Sequence, residues 1–159
     1  MVDVDGLRPP GYLPLDLQFV DEDLNGPGGI VPPAYFGDVG FDLAISEDTR
    51  VGPRGVVDMP TGVRVALPDK HWGLIVGRSS TERKLGVRVT LGVIDWGYTG
   101  LLYVGAQSVD PFQDVNLKAG TRVAQLIVIP AAIPMLVRPF AVDKLPVRER
   151  GDNGFGSTG

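Results

Sequence analysis

The chain has no cysteine and a single histidine. The first absence excludes disulfides and cysteine-based zinc sites. The second leaves little basis for histidine-dependent chemistry. His71 precedes Trp72 at the start of an apolar run, a structural or surface position. There is no apolar run of about 18 residues, the length a membrane-spanning helix needs. The opening Met1-Val-Asp-Val-Asp-Gly lacks the basic and apolar regions of a signal peptide. With the missing cysteines, this gives a cytoplasmic expectation. Excess positive charge is absent too. The net charge is −4, so stable binding to nucleic acid or to an anionic membrane is not expected. An anionic ligand has to be held by local arginines and backbone N–H groups.

The 159 residues, 43% of them apolar, suit one domain with a real core. Gly 22 and Pro 14 are both high and interrupt long helices. Alternation at Leu13, Leu15, Leu17 and Phe19 predicts a strand, at an edge. Asn25-Gly-Pro-Gly-Gly reads as a turn or loop. Phe41–Ile45, Gly55–Met59, Gly62–Leu67 and Trp72–Val76 read as strands, with Pro60-Thr-Gly as a turn between the second and third. Ser79–Leu85 is the one helix, capped by Ser79 or Ser80 with Glu82 near its first turn. Val87–Leu91, Leu101–Gln107, Val115–Leu117, Arg122–Ile129 and Met135–Val137 complete the strands. Strands at this spacing, with Gly and Pro at the turns, predict an all-β sandwich or barrel.

Five segments carry the chemistry: Gly37-Asp-Val-Gly-Phe-Asp-Leu-Ala, Gly77-Arg-Ser-Ser, Gly92-Val-Ile-Asp-Trp-Gly-Tyr-Thr-Gly, Gly120-Thr-Arg-Val-Ala-Gln-Leu-Ile and Arg150-Gly-Asp-Asn-Gly-Phe-Gly-Ser-Thr-Gly. Each alone has a plain explanation as a turn, a helix cap or a flexible end. Together they form a coherent set. Arg78 with Ser79 and Ser80 at a helix N-terminus makes a phosphate clamp of guanidinium, hydroxyls and free N–H groups. Arg150 adds a second cation on a glycine-rich arm. Phe155 between glycines is free to lie flat on a base, and Ser157 and Thr158 supply hydroxyl donors. Asp95, at a strand end, suits a general base acting on water. Asp38 and Asp42 are hard oxygen groups suited to magnesium, directly or through its waters. Phosphate cradle, base platform, metal and general base together describe nucleotide hydrolysis.

In order, spacing and wording, the five segments resemble the motifs of the trimeric dUTP pyrophosphatases (dUTPases) over roughly residues 30–159. The resemblance implies an all-β fold of jelly-roll or distorted-barrel type and a homotrimer whose sites are shared between subunits. It implies a β domain over residues 1–149, of which 1–30 are atypical, and a C-terminal arm, 150–159, closing over the nucleotide. It implies hydrolysis of dUTP to dUMP and pyrophosphate with Mg2+, which limits uracil in DNA and supplies dUMP for thymidylate synthesis. Asp95 would activate the water that attacks the α-phosphorus. Gly92, Val93 and Ile94 would line the uracil slot, and Tyr98 would pack on the deoxyribose and exclude a 2′-hydroxyl. Arg78, Ser79, Ser80 and Gln125 would bind phosphates. Phe155 would stack on uracil beside Gly156, with Arg150, Ser157 and Thr158 on the outer phosphates. Asp42 would support magnesium through water; Asp38 is a weaker match.

The chain departs from that pattern in three places. Arg78-Ser-Ser-Thr-Glu-Arg, with Arg83, resembles the second motif of the related dCTP deaminases. The stretch from Arg78 to Asp95 is short around Thr90 and Leu91, where a β-hairpin is expected to read the base. Thr99 stands where the dUTPases carry an arginine, after Trp96-Gly97 in the variable pair. The deaminase alternative needs a glutamate on the strand Leu101–Gln107. Gly105 stands there, and no nearby acid replaces it. Two further alternatives are a non-catalytic, nucleotide-binding regulatory homologue and hydrolysis of a different nucleoside triphosphate.

Overall fold

A computed structural model describes residues 16–19, 28–35 and 37–131. The expectations on Leu13 and Leu15, on residues 25–27 and 135–137, and on the arm from Arg150 onward lie outside the described residues.

The elements are β1 (Asp16–Phe19), β2 (Gly29–Val31), β3 (Gly40–Ala44), β4 (Thr49–Val51), β5 (Val57–Ala66), β6 (His71–Gly77), α1 (Thr81–Leu85), β7 (Val87–Val89), β8 (Gly92–Ile94), β9 (Leu101–Ser108), β10 (Val115–Leu117) and β11 (Arg122–Pro130). The strands form three sheets: β1-β5-β9-β7, β2-β3-β11-β6-β8 and the pair β10-β4. The all-β expectation holds. The barrel does not: none of the three sheets closes among the described residues. The strand predicted around Leu17 and Phe19 lies at a sheet edge, paired with β5, as its alternation suggests.

The two large sheets gain their stability from one shared core. Along β5 and β9 every second residue is buried, which is the period-two signature of a sheet with one face covered. Met59, Val63 and Val65 of β5 and Leu102, Val104 and Ala106 of β9 join Leu43, Ile75, Val123 and Leu126 of the five-stranded sheet. At about 1.5–3 kcal/mol per fully buried large apolar side chain, this cluster is the main term favouring the fold. No described helix is long and apolar enough to cross a membrane.

Two local expectations are corrected. Pro60-Thr61-Gly62 is not a turn between strands but part of one continuous strand, β5. The pairing with β9 shifts register between Pro60 and Arg64, so the proline and glycine mark a bulge. Gly62 supplies the positive φ of 71° that the bulge needs. Thr61 Oγ1, buried, donates to Leu102 O at 2.9 Å, and Pro60 O accepts from Ser46 N at 2.8 Å. Nor do β7 and β8 form a hairpin. β7 pairs with β9 and β8 with β6, in different sheets. Thr90-Leu91 is poor in the Gly, Asn or Asp that a two-residue hairpin turn demands. Thr90 N instead donates to Gly105 O at 2.8 Å, and the chain crosses from one sheet to the other.

The helix is present but only five residues long. Ser80 occupies the N-cap position and makes no side-chain cap bond. Thr81 anchors the segment instead, and Gly86 ends the helix in the left-handed conformation at φ 68°. Arg88 of β7 clamps Glu82 through two hydrogen bonds and holds its carboxyl below the usual carboxylate range.

Candidate active site

The site residues are collected by two features of β11. The first is its register: Gln125 lies opposite Asp42 of β3 and Val76 of β6. The second is a bulge at Val123, between the pairs Arg122–Ala44 and Ala124–Leu43. Simple alternation from Gln125 would turn Arg122 toward the core. The extra residue returns it to the face that carries Asp42 and Gln125, which is what a bulge does to a side chain.

Asp42 is therefore held by two arginines. Arg78 Nε lies 2.8 Å from Oδ1, and Arg122 Nη1 lies 3.4 Å from Oδ2. Arg78 Nη1 also reaches Arg122 O at 3.4 Å. Gln125 Nε2 donates to Gly77 O at 3.4 Å. Its side chain lies over Gly40, where a Cβ would collide with the amide end. These groups line a cleft of about 440 Å³ with Ser79, Asp38 and the loop at residues 31–34. Ser80 is not among its lining residues.

Thr81 fixes the segment that carries Arg78. Its side chain is buried, with Oγ1 donating to Val123 O at 2.9 Å and accepting from Arg78 N at 3.0 Å. Two N–H groups expected to be free for phosphate are thereby used, since Thr81 N also donates to Arg78 O at 3.0 Å. Arg83, the deaminase-like residue, turns back to Ser79 O at 3.3 Å. Asp38 closes a short turn, accepting from Tyr35 N at 3.2 Å.

A second cleft, of about 240 Å³, is lined by Val93, Ile94, Asp95, Tyr98, Leu101 and Tyr103. Asp95 is exposed at the end of β8, and no described cation pairs with it. Asp95 O accepts from Tyr98 N at 3.0 Å, and Tyr98 OH donates to Leu101 O at 2.9 Å. The arginine missing at position 99 has a neighbour in its place: Arg64 of β5 donates to Thr99 O at 3.3 Å. Gly92 pairs with Ile75 and does not line this cleft.

The two clefts lie at opposite ends of β6. Ile94 pairs with Gly73, so Asp95 follows opposite Trp72, while Arg78 begins just past Gly77. About six residues of strand separate these ends, roughly 20 Å at the usual rise. Within one chain, Arg78 and Asp95 do not meet on one phosphate.

The sequence reading missed Arg122, Thr81 and Asp58. Arg122 stood in the fourth motif without a role, and only the bulge reveals its direction. Asp58 lies directly across the ladder from Gly105, its Oδ1 3.1 Å from where a Cβ on that glycine would be. The expectation that no acid lies near the position of the deaminase glutamate is thereby corrected: a carboxylate borders on it, supplied by the neighbouring strand.

An all-β chain with an arginine-lined cleft at one end of a sheet and a carboxylate–tyrosine cleft at the other is the class of protein seen here. The family model described as dUTPase matches residues 27–159, and the chain belongs to that family. The deoxyuridine 5'-triphosphate nucleotidohydrolase of Cutibacterium acnes is 40% identical over 125 residues, covering 77% of this chain and 80% of that protein. The corresponding protein of Thermobifida fusca is 34% identical over 151 residues, 94% of this chain and 80% of its own length. Among solved structures, the Staphylococcus bacteriophage 80alpha dUTPase with dUPNHPP superposes with a TM-score of 0.75 at 22% identity, covering 92% of this chain and 98% of that one. A dUTPase variant of S. aureus phage phi11, solved with a structural Mg(II) ion, gives 0.69 at 19% identity over 82% and 97%.

Proposed function

We propose that this protein hydrolyses dUTP to dUMP and pyrophosphate by attack of water on the α-phosphorus. Family membership and the dUTP nucleotidohydrolases at 34–40% identity support the reaction. The observation that carries it onto this chain is the first cleft. There Arg78, Arg122, Ser79 and Gln125 converge on a volume open to a polyphosphate. Arg78 and Arg122 offset charge as the pyrophosphate leaves. Asp95 takes a proton from the attacking water as its oxygen bonds to phosphorus and the bond to the bridging oxygen breaks. The remaining task is positioning, which supplies most of the rate in phosphoryl chemistry.

Val93 and Ile94 at the uracil and Tyr98 at the deoxyribose complete the reading, with Gly92 next to their cleft and not in its lining. The separation of the two clefts supports a site completed by further copies of the chain, as in a homotrimer, with Arg78 and Asp95 drawn from different subunits. Arg150, Phe155, Gly156, Ser157 and Thr158 would close that site as an arm; they lie outside the described residues. The cytoplasmic assignment stays part of this proposal.

Magnesium belongs to it as a companion of the nucleotide. The described residues do not form a metal cage: no group of three acidic or histidine ligands occurs among them. Both oxygens of Asp42 are engaged by guanidinium groups, so it does not fit as a direct ligand. The triphosphate's own oxygens and water are the donors that remain for the ion, with Asp42 reaching it only through water.

One substrate panel tests the proposal. With magnesium, dUTP should release pyrophosphate far faster than dTTP, dCTP or UTP. Nucleotide binding without pyrophosphate release would establish the regulatory alternative, and ammonia from dCTP the deaminase. Removal of residues 150–159 should abolish most of the turnover; near-normal rates would place the arm outside the site.

A further inference from the structure

Tyr98 is held by three features of its own turn. Its N–H donates to Asp95 O at 3.0 Å, which ties the tyrosine backbone to the residue that carries the carboxylate. Its hydroxyl donates to Leu101 O at 2.9 Å. Between these two bonds the outer end of the ring lies against Gly100. A Cβ built on Gly100 would collide with the hydroxyl and Cζ, and would stand 2.8 Å from Cε2. Real carbon atoms do not approach that closely, so an alanine methyl and this ring position exclude each other.

The glycine is not there for its backbone freedom. Gly100 is absent from the residues with positive φ, which among the glycines are 29, 37, 55, 62, 86 and 120. Its φ therefore lies outside the left-handed region that favours glycine. Gly97, three residues earlier in the same turn, is the natural contrast. It too has no positive φ, and a Cβ there meets nothing within 4 Å. The two glycines of one turn thus differ in what a Cβ would meet beyond the chain neighbours: the end of the Tyr98 ring at Gly100, and open space at Gly97.

We propose that Gly100 is a specificity-determining residue that acts through Tyr98, by leaving the hollow in which the ring rests and so fixing the wall that excludes a 2′-hydroxyl. This inference rests on the reading that Tyr98 packs on the deoxyribose. Tyr98 is 42% exposed and lines the same cleft as Asp95, and the outer end of its ring is backed by Gly100 and by the Leu101 carbonyl. A methyl group at position 100 pushes the ring out of that backing. The sugar wall then moves by about the size of a methyl group, and misplacements near 1 Å cost up to ~10²-fold in positioned chemistry.

The test compares dUTP with UTP, as kcat and KM separately, in the wild type, Gly97→Ala, Gly100→Ala, Tyr98→Ala and the double variant Gly100→Ala/Tyr98→Ala. The wild type should strongly prefer dUTP, and Tyr98→Ala should lose most of that preference. If it does not, the reading of Tyr98 fails, and the inference with it. Gly97→Ala should keep the wild-type ratio. Gly100→Ala should lower the ratio by about tenfold or more, mainly through a higher KM for dUTP and a lower KM for UTP. In the Tyr98→Ala background the same substitution should change nothing further, since no ring remains to be displaced. A Gly100→Ala protein with the wild-type ratio, or an equal additional loss in the double variant, would overturn the proposal while leaving the reading of Tyr98 intact. Should Gly100→Ala fail to fold, the double variant decides. Its recovery shows that the ring is what the methyl meets, and its failure shows that the backbone requires glycine and refutes the inference.

Discussion

Asp42 carries one guanidinium on each carboxylate oxygen: Arg78 at 2.8 Å on Oδ1 and Arg122 at 3.4 Å on Oδ2. Arg78 follows the end of β6 and Arg122 opens β11, and the carboxylate keeps both side by side against their mutual repulsion. Replacing Asp42 with asparagine removes the charge and leaves the shape. The two guanidinium groups should then separate, and KM for dUTP should rise about tenfold or more, the scale of one lost charge-assisted contact. The fold should survive, because the site faces a cleft and not the core. Steady-state kinetics with a parallel thermal melt decide this. An unchanged KM in a folded Asp42→Asn protein would show that the carboxylate does not organise the arginines.

How much of this arrangement was legible beforehand varies with its physics. The strands that cover one face, β5 and β9, announce themselves by alternation, and the one short helix by the serines and Glu82 at its start. Proline and glycine misled at Pro60 and Gly62, because a bulge and a turn draw on the same residues and only the pairing with Tyr103 and Leu101 separates them. Arg122 was hidden by the extra residue at Val123, which no one-residue property marks. The site residues Arg78, Ser79, Gln125 and Asp42 do share one cleft, while Ile94, Val93, Asp95 and Tyr98 share another. That division is a fact of strand register, and order along the chain conceals it.

Lys70 is the one described non-glycine residue with a positive φ, 59°. It sits in the turn where His71 N donates to Pro68 O at 3.1 Å, and its own carbonyl accepts from Ala131 N at 2.8 Å. A side chain with a Cβ in this region costs roughly 1–2 kcal/mol. Lys70→Gly removes that cost, partly offset by the greater freedom of glycine in the unfolded chain. The net expectation is a stabilisation of about 0.5–1 kcal/mol, seen as a higher urea midpoint at constant slope. Lys70→Pro should do the reverse, because a proline φ cannot reach this region. A lower midpoint for the glycine variant would contradict the turn described here.

Thr81 links three parts of the site through one buried hydroxyl. It donates to Val123 O at the bulge and accepts from Arg78 N. Valine keeps the volume and loses both bonds, leaving the Arg78 N–H and the Val123 carbonyl without this partner. Unfolding free energy should fall by about 1–3 kcal/mol. Since the released N–H belongs to Arg78, kcat/KM for dUTP should fall as well, and by more than any substitution of equal stability cost in the core. Thr81→Ser, which keeps the hydroxyl, should retain most of both. If Thr81→Val loses stability and keeps full kcat/KM, the threonine supports the fold alone.

Asp95 ends β8 in the open, with its own carbonyl fixed by Tyr98 N and no described cation against its carboxylate. A base that takes a proton from water needs this freedom, because a carboxylate neutralised by a resident cation is a weaker base. Asp95→Asn preserves the size of the side chain and its hydrogen bonding to water, and it removes the proton acceptor. Affinity for an imido analogue of dUTP should remain within a few-fold of wild type, while kcat should drop by roughly 10²–10⁴, the usual span of general-base catalysis. Because the proposed site takes Arg78 and Asp95 from different subunits, Asp95→Asn mixed with an inactive Arg78→Ala protein should regain part of the activity after subunit exchange. Both parent proteins are dead in the sites that lack their residue, but mixed trimers contain sites that have both. Full turnover by Asp95→Asn would remove it as the base. Absence of any regained activity, with exchange verified by native mass spectrometry, would overturn a site that takes Arg78 and Asp95 from different subunits.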